Sequence, residues 1–262
     1  MAQTFTSKKK LNKWLKLAIA VAFWLTVWSL ASAIVDKELL IPSPVVVARR
    51  IGGLLFTGTF WLKTGVSLLR VLGGFLAGCV GGILLSVLAS VWDVADAIIS
   101  PFIRIIRSTP VTSFIILVML WIGYDFVPVF IAGLLVTPIF YANLREGIDE
   151  TDRKLLEVAY IYKFGKRKTL KAIYIPSVKP YFVSAAVTSL GLAWKAGIAA
   201  EVLCLPSISV GREMYYSKLY LETPDLFAWT VVVVVFSIVF EKIFERMVLK
   251  NKKKEVRDNE DN

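Results

Sequence analysis

The chain contains no histidine and only two cysteines among its 262 residues. Without imidazole, the commonest general base, the usual zinc ligand and every histidine-containing triad are missing, which argues against hydrolytic chemistry. Cys79 and Cys204 lie far apart in apolar stretches, so neither a disulfide scaffold nor a cysteine metal cluster is available. Charge is scarce as well: 19% of residues are charged against 56% hydrophobic, and mean hydropathy is +0.66. That balance excludes an ordinary water-soluble enzyme. No Gly/Ser linker and no second compositional regime interrupts the chain, so it reads as one membrane domain over 17–249 between a basic tail, 1–16, and a charged tail, 250–262.

What the chain has in abundance is long apolar runs. A bilayer core about 30 Å thick needs roughly 17 to 25 helical residues to cross. Six segments approach that standard: Leu17 to Val35, Val66 to Trp92, Ser108 to Tyr124, Phe126 to Leu144, Pro180 to Leu203, and Leu226 to Val248. The expected fold class is therefore all-α, a polytopic membrane protein with six transmembrane helices. The first segment, with its lysine-rich start and the small residues Ala31, Ser32 and Ala33, also fits a cleaved signal peptide. Its continuation to Val35 and its tryptophans, Trp14, Trp24 and Trp28, favour a retained span.

The net charge of +11 is a topology signal. Lysines 8, 9, 10, 13 and 16, Arg104 and Arg107, nine basic residues over 145–179 and seven over 242–257 account for 23 of the 31 lysines and arginines. Alternating six spans puts all four groups on the cytoplasmic side, where positive charge is retained, with both termini inside. Nucleic acid is then not needed to explain the charge.

The most informative stretch is 151–176, TDRKLLEVAYIYKFGKRKTLKAIYIP. Its pattern predicts two short helices, the first capped by Asp149 or Thr151 and closed by a left-handed Gly165, the second ending before Pro176. An apolar knob of Leu155, Leu156, Tyr162 and Phe164, rimmed by Lys163, Lys166, Arg167 and Lys168, has no bilayer to enter and should dock on another protein. The rival reading is an amphipathic helix lying on lipid headgroups.

The residues Glu157, Val158 and Ala159, then Gly165, then Ile173, Ile175 and Pro176, resemble the EAA motif of permease subunits of bacterial ABC importers. The resemblance extends through IPSPVVVARRI at 41–51, SLLRVLGGFLAGCVGG at 67–82, PFIRIIRSTPVTSF at 101–114, GLAWKAGIAAEVL at 191–203 and LETPDLFAW at 221–229, and is similar to the nitrate, sulfonate and taurine branch. It implies an ABC importer permease fold with a cytoplasmic coupling helix, in a bacterial plasma membrane. The implied partners are a second permease copy or paralogue, two ATPase subunits and an extracytoplasmic solute-binding protein. The chain lacks G-x-x-x-x-G-K-[ST], so ATP and magnesium belong to the partner ATPase and no cofactor is expected here. Under the same resemblance the knob becomes the coupling hairpin, with Leu155, Leu156, Glu157, Ala159, Tyr162, Phe164, Gly165 and Pro176 engaging the ATPase.

Within the membrane, Gly74, Gly78 and Gly82 recur at intervals of four, which suits close helix packing, while Arg70 near the outer end reads as reaching headgroups. Ser184, Thr188, Gly191 and Lys195 line one side of the fifth segment and form a candidate translocation path together with Glu201. Lys195 lies roughly 22 Å along the helix from Pro180. It can snorkel outward, pair with Glu201 or offer its ammonium to a passing anion. The segment 204–225 should be an extracytoplasmic loop or re-entrant turn, and it and 36–63 are alternative docking surfaces for a binding protein. The resulting expectation is an importer permease for a small anion. A different solute, such as a pyrimidine vitamin precursor, is one alternative, and a gradient-driven secondary transporter or channel is another. The latter predicts paired mid-span acids or inverted repeats, and neither occurs in the sequence.

Overall fold

A computed structural model describes residues 13–260, so most of the basic tail 1–16 lies outside the described residues. The described chain is helical and contains no strand. It runs as α1 (Lys13–Val35), α2 (Pro44–Leu55), α3 (Gly58–Val91), α4 (Asp93–Ser108), α5 (Val111–Val118), α6 (Val127–Asp149), α7 (Arg153–Ile161), α8 (Lys166–Thr169), a π-helical turn Leu170–Tyr174, α9 (Ile175–Cys204), α10 (Val210–Leu219) and α11 (Thr223–Glu260).

Five helices are long and apolar enough to cross a membrane, and a bent pair, α4 with α5, makes up to six. The expected span Ser108 to Tyr124 is thereby corrected. That stretch yields only the eight-residue α5, turned by 102° from α4. The cause is Pro110, which lacks an N–H and disfavours helical backbone at Thr109; Thr109 is extended, with ψ 133°. Helix α4 is amphipathic, burying Ile99, Ile103 and Ile106 and leaving Arg104 and Arg107 exposed. Helix α11 likewise runs beyond the expected end at Val248, with helical backbone to Glu260.

The core is built on α3, α6 and α9. Helices α3 and α6 run parallel at backbone contact because Gly74, Gly78 and Gly82 form the seam. A Cβ on Gly78 would lie 2.6 Å from both the Gly133 carbonyl oxygen and the Val136 Cβ, and one on Gly74 or Gly82 would collide with Val129 or Phe140. Thr137 Oγ1 strengthens the same seam, donating to the Gly133 carbonyl at 2.9 Å and lying 3.3 Å from that of Gly78. Helix α9 runs antiparallel across both. Trp194 is fully buried, donates its indole N–H to the Val233 carbonyl at 3.0 Å and packs against Phe236 and Phe240 of α11. In contrast, the residues of α1 are almost all exposed. Its few ties include Trp28 Nε1 to the Pro42 carbonyl and Ser32 Oγ to the Ile41 carbonyl.

Candidate functional site: the hairpin and the free face of α9

The hairpin between α6 and α9 forms, but its joints differ from expectation. Asp152, not Asp149 or Thr151, caps α7, accepting from the Lys154 N–H at 2.8 Å. Asp149 is paired instead with Arg145 at 3.0 Å, and Thr151 Oγ1 is buried against the Gly147 carbonyl. The left-handed residue is Lys163, with φ 52°, and the Phe164 N–H closes on the Ala159 carbonyl at 2.8 Å. Gly165 is extended, at φ −68° and ψ 155°, and a Cβ there would meet nothing within 4 Å. It serves as the N-cap position of α8, because the chain has already reversed two residues earlier.

Nor does the second hairpin helix stop before Pro176. The π turn Leu170–Tyr174 widens the helix just ahead of the proline, and Pro176 enters the first turn of α9, where an N–H is not required. Ser177 Oγ donates to the Ile173 carbonyl at 2.8 Å. The result is one helical rod over 166–204 that joins the hairpin directly to the transmembrane core.

The apolar surface of the hairpin is broader than the four predicted residues. Leu155 and Tyr162 are exposed as expected, whereas Leu156 and Phe164 are only partly exposed, Phe164 lying under the Lys168 ammonium at 3.8 Å. Ala159 is buried, while Glu157 and Pro176 are open to solvent. The predicted apolar knob omitted Val158, Tyr160 and Ile161; Tyr160 is 86% exposed. Tyr160, Ile161 and Tyr162 are three consecutive bulky residues, a run that breaks helical periodicity and is the signal that marks Tyr160 and Ile161.

On α9, Ser184, Thr188 and Lys195 lie on the face turned away from the protein's own core, while Gly191 is buried beside α11. Glu201 is not on that face. It is fully buried, and its carboxylate accepts from Ser67 Oγ at 2.8 Å and from the Gly211 N–H at 3.2 Å. Pairing of Lys195 with Glu201 is therefore ruled out in this arrangement. The lysine's ammonium lies 3.6 Å from Glu241 of α11, and Ser237 Oγ approaches the same carboxylate oxygen at 3.4 Å.

Arg70 does not reach outward to headgroups either. Its guanidinium is mostly covered, pairs with Asp125, donates to the Ile208 carbonyl and lies 3.5 Å from Glu201. Ser67 in turn accepts from the Val210 N–H at 3.0 Å. Together Ser67, Arg70 and Glu201 hold the N-terminus of α10, a helix within the segment expected as a loop, and Gly211 leaves the space for it to touch Glu201. A buried acid at a helix N-terminus meets unpaired N–H groups and the positive end of the helix dipole.

At the hairpin end, a groove of about 660 Å³ runs between α3, α6, the π turn and α9, lined by Ile83, Val87, Leu144, Tyr174, Val178 and Phe182 among others.

Apolar helices packed on one side, with hydroxyls and a lysine left over on the other, make a polytopic helical bundle of the kind that membrane transport requires. Residues 74–249 match the family described as binding-protein-dependent transport system inner membrane component. The chain belongs to that family and is an ABC importer permease. It is 26% identical over 251 residues to a putative aliphatic sulfonates transport permease of Bacillus subtilis, covering 92% of this chain and 89% of that one. It is also 26% identical over 205 residues to a nitrate import permease of Synechococcus elongatus, covering 74% and 73%. Both relatives agree with the resemblance to the nitrate and sulfonate branch seen in the sequence. In fold it resembles a crystal structure of an amino acid ABC transporter, with TM-score 0.63 at 15% identity over 78% of this chain and 97% of that one. It also resembles the MetNI methionine transporter in an inward-facing form, with TM-score 0.56 at 17% identity over 72% and 93%.

Proposed function

We propose that the chain is the membrane half of an ATP-driven importer that passes a small anion, of the nitrate, sulfonate or bicarbonate kind, by alternating access. Two ATPase subunits on the cytoplasmic side supply hydrolysis, a second permease copy or paralogue closes the cavity, and an extracytoplasmic binding protein delivers the solute. ATP and magnesium are bound by the ATPase. The observation that carries this reading is the exposed apolar hairpin, Leu155, Val158, Tyr160, Ile161 and Tyr162, mounted on a helical rod that continues into the core. A rigid rod transmits closure of a docked partner to the spans, since packed elements move between discrete arrangements. Ser184, Thr188 and Lys195 line the solute's route, while Gly191 lies beneath the Glu241 side chain. The kinship with sulfonate, nitrate and bicarbonate permeases supports an anionic solute.

The test replaces Tyr160 and Ile161 together by aspartate. The variant should insert in the membrane normally but lose co-purification with the ATPase and ATP-dependent uptake by proteoliposomes. Retained ATPase binding would remove the hairpin from the coupling role.

A further inference from the structure

Lys195 and Glu241 form an ion pair on the outer surface of α9 and α11, away from the core, and its geometry is unusual in three respects. First, it is loose: the 3.6 Å separation exceeds the roughly 2.7–2.9 Å of a charge-assisted hydrogen bond. Among the described residues the lysine ammonium makes no hydrogen bond, leaving three donors available. Second, it is open. The lysine side chain is 63% exposed and lies on the same face as Ser184 and Thr188, away from the core. Bare charge toward lipid is costly, so this face adjoins water or another polypeptide. Third, the acid has a built seat. A Cβ on Gly191 would collide with the Glu241 carboxylate, and Ser237 approaches that carboxylate from its own helix.

We infer that Lys195 is an oxyanion-binding site on the solute's route and that Glu241 is its internal counter-ion, displaced when a sulfonate, nitrate or bicarbonate arrives. This rests on the anion-importer reading above and adds to it a site and an exchange partner. With no solute present, Glu241 neutralises the lysine and makes the empty route passable. An arriving oxyanion takes the ammonium, and the carboxylate keeps the Ser237 hydroxyl and the space that Gly191 leaves. No covalent bond changes.

An ordinary structural ion pair is damaged equally by loss of either member, whereas an exchange site responds asymmetrically. The permease–ATPase complex in lipid nanodiscs, without binding protein, is titrated with radiolabelled ethanesulfonate, with nitrate and bicarbonate as competitors. Glu241→Gln should tighten binding about tenfold and Lys195→Gln weaken it about tenfold, the size expected for one charged hydrogen-bonding partner. Lys195→Arg should retain binding. Thermal melting of each complex checks that the fold persists. Equal losses in the two neutral variants, or no change in either, would overturn the inference while leaving anion import intact. A wild-type complex that moves none of the three anions but does carry a neutral solute overturns the importer's anion reading, and this site with it.

Discussion

Gly78 shows how much one missing methyl group decides. Helices α3 and α6 touch through their backbones, and a side chain there would meet the Gly133 carbonyl and the Val136 Cβ at 2.6 Å, neither of which is a flexible tip. Gly78→Ala should destabilise the permease by about 1–3 kcal/mol, the usual cost of overpacking, whereas Gly165→Ala should be neutral. Thermal unfolding in detergent compares the two. The four-residue repeat of glycines was legible because close packing needs small residues at that period. Gly165 was misread, because a glycine after a helix suggests a left-handed closure, and here Lys163 takes that conformation. The ion pair of Lys195 was equally hidden. Glu241 is 46 positions away in the sequence, and only the packing of α11 against α9 brings the two together.

Among the elements, the hairpin is the one most nearly readable. Its position between two apolar segments and the exposure of Leu155 and Tyr162 followed from pattern alone, whereas Val158, Tyr160 and Ile161 did not. Its joints did not, because several residues compete to cap a helix and the winner depends on where α6 ends. Asp152 won, as Asp149 is engaged with Arg145 and Thr151 is buried against α6. Asp152→Ala should remove about 0.5–2 kcal/mol of local stability from α7. Hydrogen exchange of the amides of 153–161 should quicken, with the amides of α6 unchanged. The proline rule failed at Pro176 for a related reason. A π turn ahead of it accommodates the ring, so the helix passes through, and Pro180, Pro138 and Pro101 likewise sit inside helices.

For the whole molecule, the distribution of lysine and arginine makes a prediction that side-chain geometry does not. If positive charge stays in the cytoplasm, both ends of the chain lie there. Cys79 and Cys204 are both buried, so they should react slowly with a membrane-impermeant maleimide. A single cysteine placed at Lys10 or at Asn251 should then be labelled in inside-out vesicles and protected in right-side-out ones. The reverse pattern at either site would invert the topology and put the hairpin on the wrong side for an ATPase.

Composition and periodicity by themselves determined that the chain carries several helices long and apolar enough to span a membrane and that the described residues are helical. These follow from the cost of taking polar backbone and charge into hydrocarbon, which acts on each segment separately. Tertiary structure alone decided that Glu201 supports α10 from within, that Arg70 is held inward, that α4 and α5 meet at a right-angled bend, and that Glu241 faces Lys195. Each of these depends on which helix lies beside which. A single helix in lipid satisfies its own backbone and carries little record of its neighbours, so contacts between distant helices appear only once they pack.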